Sequence, residues 1–264
     1  MSLTNKTPAT TYGDLLYVNN SNAGVTSTEK QILSGNGNGS CLTLSDRSLT
    51  LTAGTDNTST LNIKNAAGDS KLLVDTTNSN IRANGVHVNT QYAHFGITTS
   101  ETTQAIAGYH YPLLVGTGRS GIISSDQPNH FGNGTDPATT FTTANTTDQK
   151  ASDLVPYIWY VPDNITIDSV SSIEGADAAT GDTTRMHMMG YTFTSGSTSC
   201  LTSGTLLAHN SDVTNAGNEQ VYLSNWTIDS ANVLAGKVII TTFESDSTNS
   251  DYSYQITIKY HLTG

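Results

Sequence analysis

Residues 42–88 read LTLSDRSLTLTAGTDNTSTLNIKNAAGDSKLLVDTTNSNIRANGVHV, with apolar residues in alternating pairs: Leu42 and Leu44, Leu49 and Leu51, Leu61 and Ile63, Leu72 and Val74, Val86 and Val88. Turn formers separate the pairs: Ser45-Asp46, Ala53-Gly54, Ala67-Gly68-Asp69, Asn78-Ser79-Asn80 and Asn84-Gly85. Period-2 alternation broken by turns at short intervals predicts short β-strands with one buried face. Each strand offers only two or three apolar side chains. At roughly 25 cal/mol per Å² of buried apolar surface, one such layer cannot offset an ordering cost of about 1–2 kcal/mol per residue. The faces therefore need partners, and identical copies around a symmetry axis supply them most directly. The stretch is expected to be a slender shaft whose interior is shared by a homotrimer.

The rest of the composition agrees with an all-β chain. Charged residues are 12% and apolar residues 35% of the 264 positions, both below the usual levels, with Thr, Ser, Asn and Gly in their place. Thr, Asn and Gly rank low in helix propensity, whereas Thr suits strands. The net charge is −11, which argues against a nucleic-acid partner, because phosphate binding needs clustered cations. No apolar run approaches the ~20 residues of a membrane helix, so no membrane insertion is expected. The first residues, MSLTNKTPATTYGD, have no apolar core of a secretory signal, which predicts synthesis in a cytoplasm. Cys41 and Cys200 lie far apart in the chain and are expected as unpaired thiols.

Four segments follow from the pattern. Residues 1–40 hold one apolar patch, YGDLLYV at 12–18, and cannot fold alone; they are expected as a docking arm that buries Tyr12, Leu15, Leu16, Tyr17 and Val18 on assembly. Within this arm, residues 26–33 are expected to form a short helical turn. Residues 41–90 are the shaft, with the ten paired apolar residues named above as the trimer core. Residues 91–150 are expected as a small β-collar and linker, with QYAHFGI at 91–97 and YHYPLLV at 109–115 as strands and 132–148 as a long loop. From 151 to 264 the strands become longer and more apolar, as in PYIWYV, RMHMMGYTF, KVIITTF and YSYQITIKYHL. Seven or eight strands of this kind suit an antiparallel β-sandwich of jelly-roll type, with Trp159 and Trp226 as anchors.

The phrases LTLSDRSLTL and LNIKNAAGDSKLLVDTTNSNIRANG, with the Thr/Asn/Gly-rich C-terminal part ending in ITIKYHLTG, resemble bacteriophage tail-fibre-like and capsid-attached fibre proteins. The resemblance lies in style and short phrases over 42–88 and 151–264. It implies a trimer in the virion, an N-terminal arm fixed to capsid, portal or tail, and a C-terminal head facing outward, where it would serve host attachment. The His-x-His repeats by which some fibre tips bind iron do not occur here.

Local motifs are weaker. GTGRSG at 116–121 matches a dinucleotide-binding fingerprint in letters only, since no helix or spaced acidic residue follows; a hairpin turn is expected. The histidines, His87, His94, His110, His130, His187, His209 and His261, show no ligand spacing, and neither a metal nor another cofactor is predicted. Glu174, Asp177 and Asp182, and again Glu244, Asp246 and Asp251, are read as solvated turns between head strands, with Ca²⁺ binding as the sharper reading. Tyr191, Tyr222, Trp226 and Tyr252 are the candidate contacts for a host-surface glycan, the basis of an alternative reading as a carbohydrate-binding receptor module. A glycan depolymerase would need two suitably spaced carboxylates, and the shaft is too short for the long β-helices such enzymes use. The expectation is a protein that is not an enzyme.

Overall fold

The computed structural model describes residues 16–21, 23–98, 106–116, 129–143, 149–177, 180–217, 220–247 and 251–263. The chain is all-β and divides into two compact units, 1–86 and 87–264. In the first unit β1 (Leu16–Val18), β2 (Lys30–Ser34), β3 (Gly39–Leu44) and β4 (Leu49–Leu51) form one antiparallel sheet in chain order. A second sheet, also in chain order, holds β5 (Leu61–Lys64), β6 (Ser70–Asp75), β7 (Asn80–Ala83) and β8 (Val86–His87), whose His87 is the first residue of the second unit. The alternating pairs and turn formers thus mark strands and turns as the pattern predicts, except that Val88 lies in the turn after β8. At Asn84-Gly85 both residues have positive φ, 49° and 82°, the geometry of a tight two-residue hairpin turn whose twist matches its strands. The helical turn expected at 26–33 is absent among the described residues. Lys30–Ser34 is a strand instead, paired to β1 and β3, because Ile32 takes a place in the sheet.

The second unit is a pair of facing antiparallel sheets. Its strands are β9 (Thr90–Thr98), β10 (Tyr111–Pro112), β11 (Leu114–Val115), β12 (Trp159–Tyr160), β13 (Ile165–Asp177), β14 (Thr183–Phe193), β15 (Leu201–His209), β16 (Val213–Thr214), β17 (Gln220–Asn225), β18 (Thr227–Ile228), β19 (Asn232–Val233), β20 (Lys237–Ser245) and β21 (Asp251–Leu262). One sheet runs β11-β9-β21-β13-β17 and the other β10-β20-β14-β15-β18. Phe95, Ile97, Val170, Ile256 and Ile258 from the first meet Met186, Met188, Ile239 and Phe243 from the second in one core. Trp226 is buried there, its indole N–H donating to Ser172 Oγ at 2.9 Å. Trp159 packs against Phe95 and Tyr260.

The segment expected as a separate collar and linker, 91–150, is divided differently. Strand β9 is zipped along β21 from Thr90↔His261 to Thr98↔Ser253, and its Phe95 and Ile97 are buried in the sandwich core. A period-2 run looks the same whether it closes a small module or enters a larger sheet; here its partner lies far along the chain. The expected loop also has a structural role. Residues 129–143, with the helical turn Ala151–Leu154, lie over the outer face of β14, β15 and β20 and seal a second core. Phe131, Phe141 and Leu154 pack there against Met189, Tyr191, Leu201, Val238 and Ile240. Burying isolated aromatics such as Phe131 and Phe141 needs no local periodicity, only a neighbouring sheet face to cover.

Candidate functional site

The shaft residues come together as the alternation requires. Leu42 faces Leu51 and Leu44 faces Leu49 across β3 and β4. Leu61 faces Val74, Ile63 faces Leu72, and Val74 in turn faces Ile81 across β5, β6 and β7. Directly opposed residues project from the same side of a sheet, so these paired apolar side chains share one face of each sheet, while Leu73, paired to Asn62 and Arg82, lies on the other. Among the described residues of the first unit that face is only partly covered. Leu49 is 61% exposed, Ile63 51% and Val86 46%, with Leu51 and Ile81 also exposed, while Leu42, Leu44, Leu61, Leu72 and Val74 are half-buried. Val88, counted with the shaft by its sequence, belongs to the second unit and is exposed. Among the described residues of the first unit, Ile32 is the one buried apolar side chain. A surface of this kind can associate; by itself it holds little.

The residues expected to dock lie at the start of the same unit. Leu16 and Tyr17 are exposed and Val18 is half-buried in β1, while Tyr12 and Leu15 lie outside the described residues. Cys41 and Cys200 are free, one exposed and one buried. The GTGRSG motif lies mostly outside the described residues.

In the second unit the aromatic candidates fare differently from expectation. Tyr191, Trp226 and Tyr252 are buried, so their rings are not available to stack on a sugar; Tyr222 is half-buried. The apolar cores claim the large rings because each removes more area from water than any neighbouring side chain. The acidic residues are not all in turns either. Glu174 is 3% exposed in the middle of β13, where its carboxylate accepts from Thr184 Oγ1 at 3.1 Å and Ser224 Oγ at 2.9 Å. Burial pushes its pKa up, against the opposing hydrogen bonds from Ser224, Thr184 and Asn210. Beside it a recess lined by Asp182, Asn215, Tyr222, Tyr252 and Tyr254 has room for about one water. Tyr252 donates its hydroxyl to Asp182 at 2.9 Å. Glu244 lies in β20, 3.5 Å from the Arg185 guanidinium, which also reaches Asp212.

Five of the seven histidines, scattered in sequence, form two groups. His187 of β14 is the register partner of His209 on β15, and its ring meets that of His110 edge-on at 5.0 Å. His110 Nε2–H donates to Gly134 O at 2.8 Å. Burial, then the neighbouring His110, His209 and Arg185, hold the His187 pKa down to about 3; burial lowers that of His110 as well. The His187 imidazole is therefore kept neutral over the physiological range. The second group, His87 and His261, stacks ring on ring. The signal that could have found the first group is the β14–β15 hairpin register; none in the local sequence announces the second. No protein-family model matches the chain, and no curated protein matches it.

Proposed function

We propose that this chain is a structural protein of a bacteriophage virion, a homotrimeric fibre or decoration with 87–264 as an outward head and the N-terminal arm as the attachment to capsid, portal or tail. The observation that carries the reading is the first unit's pair of regular four-stranded sheets, whose described residues include one buried apolar side chain, Ile32. Such thin layers do not repay the entropy of ordering their backbone; three sister chains facing an axis close them. For the head the finer reading is a jelly roll. With β9, β10, β13, β14, β15, β17, β20 and β21 counted first to eighth, one sheet is ordered first, eighth, third, sixth and the other second, seventh, fourth, fifth. That interleaving supports two Greek keys wound together, an architecture shared by viral capsid and lectin domains, which is an analogy of fold and not of activity. Light scattering on the full chain tests the assembly: a particle of three times the 27.9 kDa chain mass is expected, and a folded species of one chain's mass would overturn the reading. Deletion of residues 1–20 should leave that particle intact and abolish its incorporation into virions; normal incorporation would remove the docking role.

A further inference from the structure

The geometry points to a divalent transition-metal site, of the kind that takes Zn²⁺, built by His87, Asp168 and His261 within the second unit. One ligand atom from each residue lies within 4.8 Å of the other two. His261 Nδ1 and Asp168 Oδ1 are already 3.0 Å apart, and the imidazoles of His87 and His261 lie face to face, centroids 3.8 Å apart and planes 6° from parallel. Tetrahedral Zn²⁺ with ligands at about 2.0–2.1 Å places neighbouring donor atoms roughly 3.3 Å apart, so to hold the ion the donor atoms close in and the two rings tilt out of their parallel stack to aim their in-plane lone pairs at one point. Two imidazoles and one carboxylate are a donor set for borderline metals such as Zn²⁺ and not for Ca²⁺ or Mg²⁺, which take oxygens.

The backbone supports the same conclusion. Asp168 is the extra residue where the β13–β21 register shifts between Ile167 and Ser169, and a bulge of this kind re-aims a side chain that would otherwise alternate with its neighbours. Here it turns the carboxylate to His261, which sits opposite Thr166 on β13 and Thr90 on β9. The Asn89 side chain donates to Leu262 O at 2.7 Å, fastening the chain just after His87 to the last strand beside His261. The His261 side chain is 11% exposed and that of Asp168 22%, so the histidine is sheltered while the rim stays open for water as a fourth ligand. Cofacial imidazoles repel if both are protonated; a shared metal instead uses the lone pair of each neutral ring. The bound ion would be a structural clip joining the first residue of the unit to its penultimate strand position and to the bulge.

The test uses the full chain stripped with a chelator and titrated with ZnCl₂ by calorimetry, with CoCl₂ as a spectroscopic probe. One Zn²⁺ per chain, a visible tetrahedral Co²⁺ band and a higher melting temperature with Zn²⁺ are expected. Loss of an outer partner of a metal ligand already weakens binding about 10–100-fold, so His87→Ala and the isosteric Asp168→Asn should each weaken it at least about tenfold and abolish the Co²⁺ band. His209→Ala, in the other histidine group, should leave both unchanged. Two variants guard against a misfolded one: His87→Ala alters a half-buried side chain, and Asp168→Asn keeps the shape of the carboxylate. Unchanged affinity in either folded variant, loss of the Co²⁺ band in His209→Ala, or no binding by the wild type would overturn the assignment.

Discussion

The bare shaft face can be tested by removing its two most protruding inner contacts, Leu49→Ala with Ile63→Ala. Leu49 is 61% exposed and Ile63 51% in the single chain. Full burial of such a side chain is worth about 1.5–3 kcal/mol, so the exposed shares leave the pair roughly 2–3 kcal/mol per chain to gain on assembly. Summed over a symmetric trimer this is about 5–10 kcal/mol, and with tenfold in an equilibrium constant for every 1.4 kcal/mol, the three-body association constant falls by roughly 10⁴ or more. The midpoint concentration varies as the inverse square root of that constant. Alanine retains part of each side chain, so the midpoint should move up by tens- to about a hundredfold. The head should be indifferent, since neither residue belongs to its cores. A dilution series by sedimentation or light scattering reads the midpoint, and near-UV circular dichroism follows the head. If the double variant dissociates at the wild-type concentration, the exposed faces are not the assembly surface and the shaft reading fails.

Acid should weaken the head. His187 has a pKa of about 3 when folded against an ordinary 6.5; between those values the unfolded chain binds a proton that the folded one refuses, so stability is full above 6.5 and falls as pH drops towards 3. At about pH 5 the loss from this residue is ~2 kcal/mol, and His187→Gln should flatten the fall in melting temperature between pH 6.5 and 5, leaving the smaller slope from His110. An equal slope in the variant would exclude His187 as its source. Gly204→Ala should destabilise by about 1–3 kcal/mol through overpacking, because the new methyl would lie 2.6 Å from Tyr191 Cε1 and 2.8 Å from Thr139 Cα. Denaturant titration reads this directly, and an unperturbed midpoint would mean that the 129–143 segment yields freely at Thr139.

What could be read in advance was whatever repeats locally. Leu42/Leu44 through Val86/Val88 announced their strands, and Asn84-Gly85 its hairpin, because side-chain alternation and left-handed backbone are properties of neighbouring residues. The long strands were equally plain, expected at 165–173 and 252–262 and found at 165–177 and 251–262, since Ile165, Ile167 and Tyr254, Ile256, Ile258 alternate along them. What escaped depends on distant pairing. Strand β9 could not be assigned to the head before its alignment with β21 was known, and Phe131 and Phe141 sit in polar sequence with nothing around them to mark a core. Tyr191, Trp226 and Tyr252 were ambiguous as rings, since a buried and an exposed aromatic have the same letter. The triad of His87, Asp168 and His261 is the extreme case: two sheet registers and one bulge bring its members together, and none of these is written beside any of them.

The segment laid over the outer side of β14, β15 and β20 leaves the two halves of the head with unequal freedom to drift. Along β20 every residue from Val238 to Phe243 is enclosed, so nearly any polar replacement there is rejected. Ser253 and Gln255 on β21, and Val221 and Leu223 on β17, face outward. Diversification among descendants of this protein is accordingly channelled to one half of the sandwich, whose outward residues can change without disturbing either core.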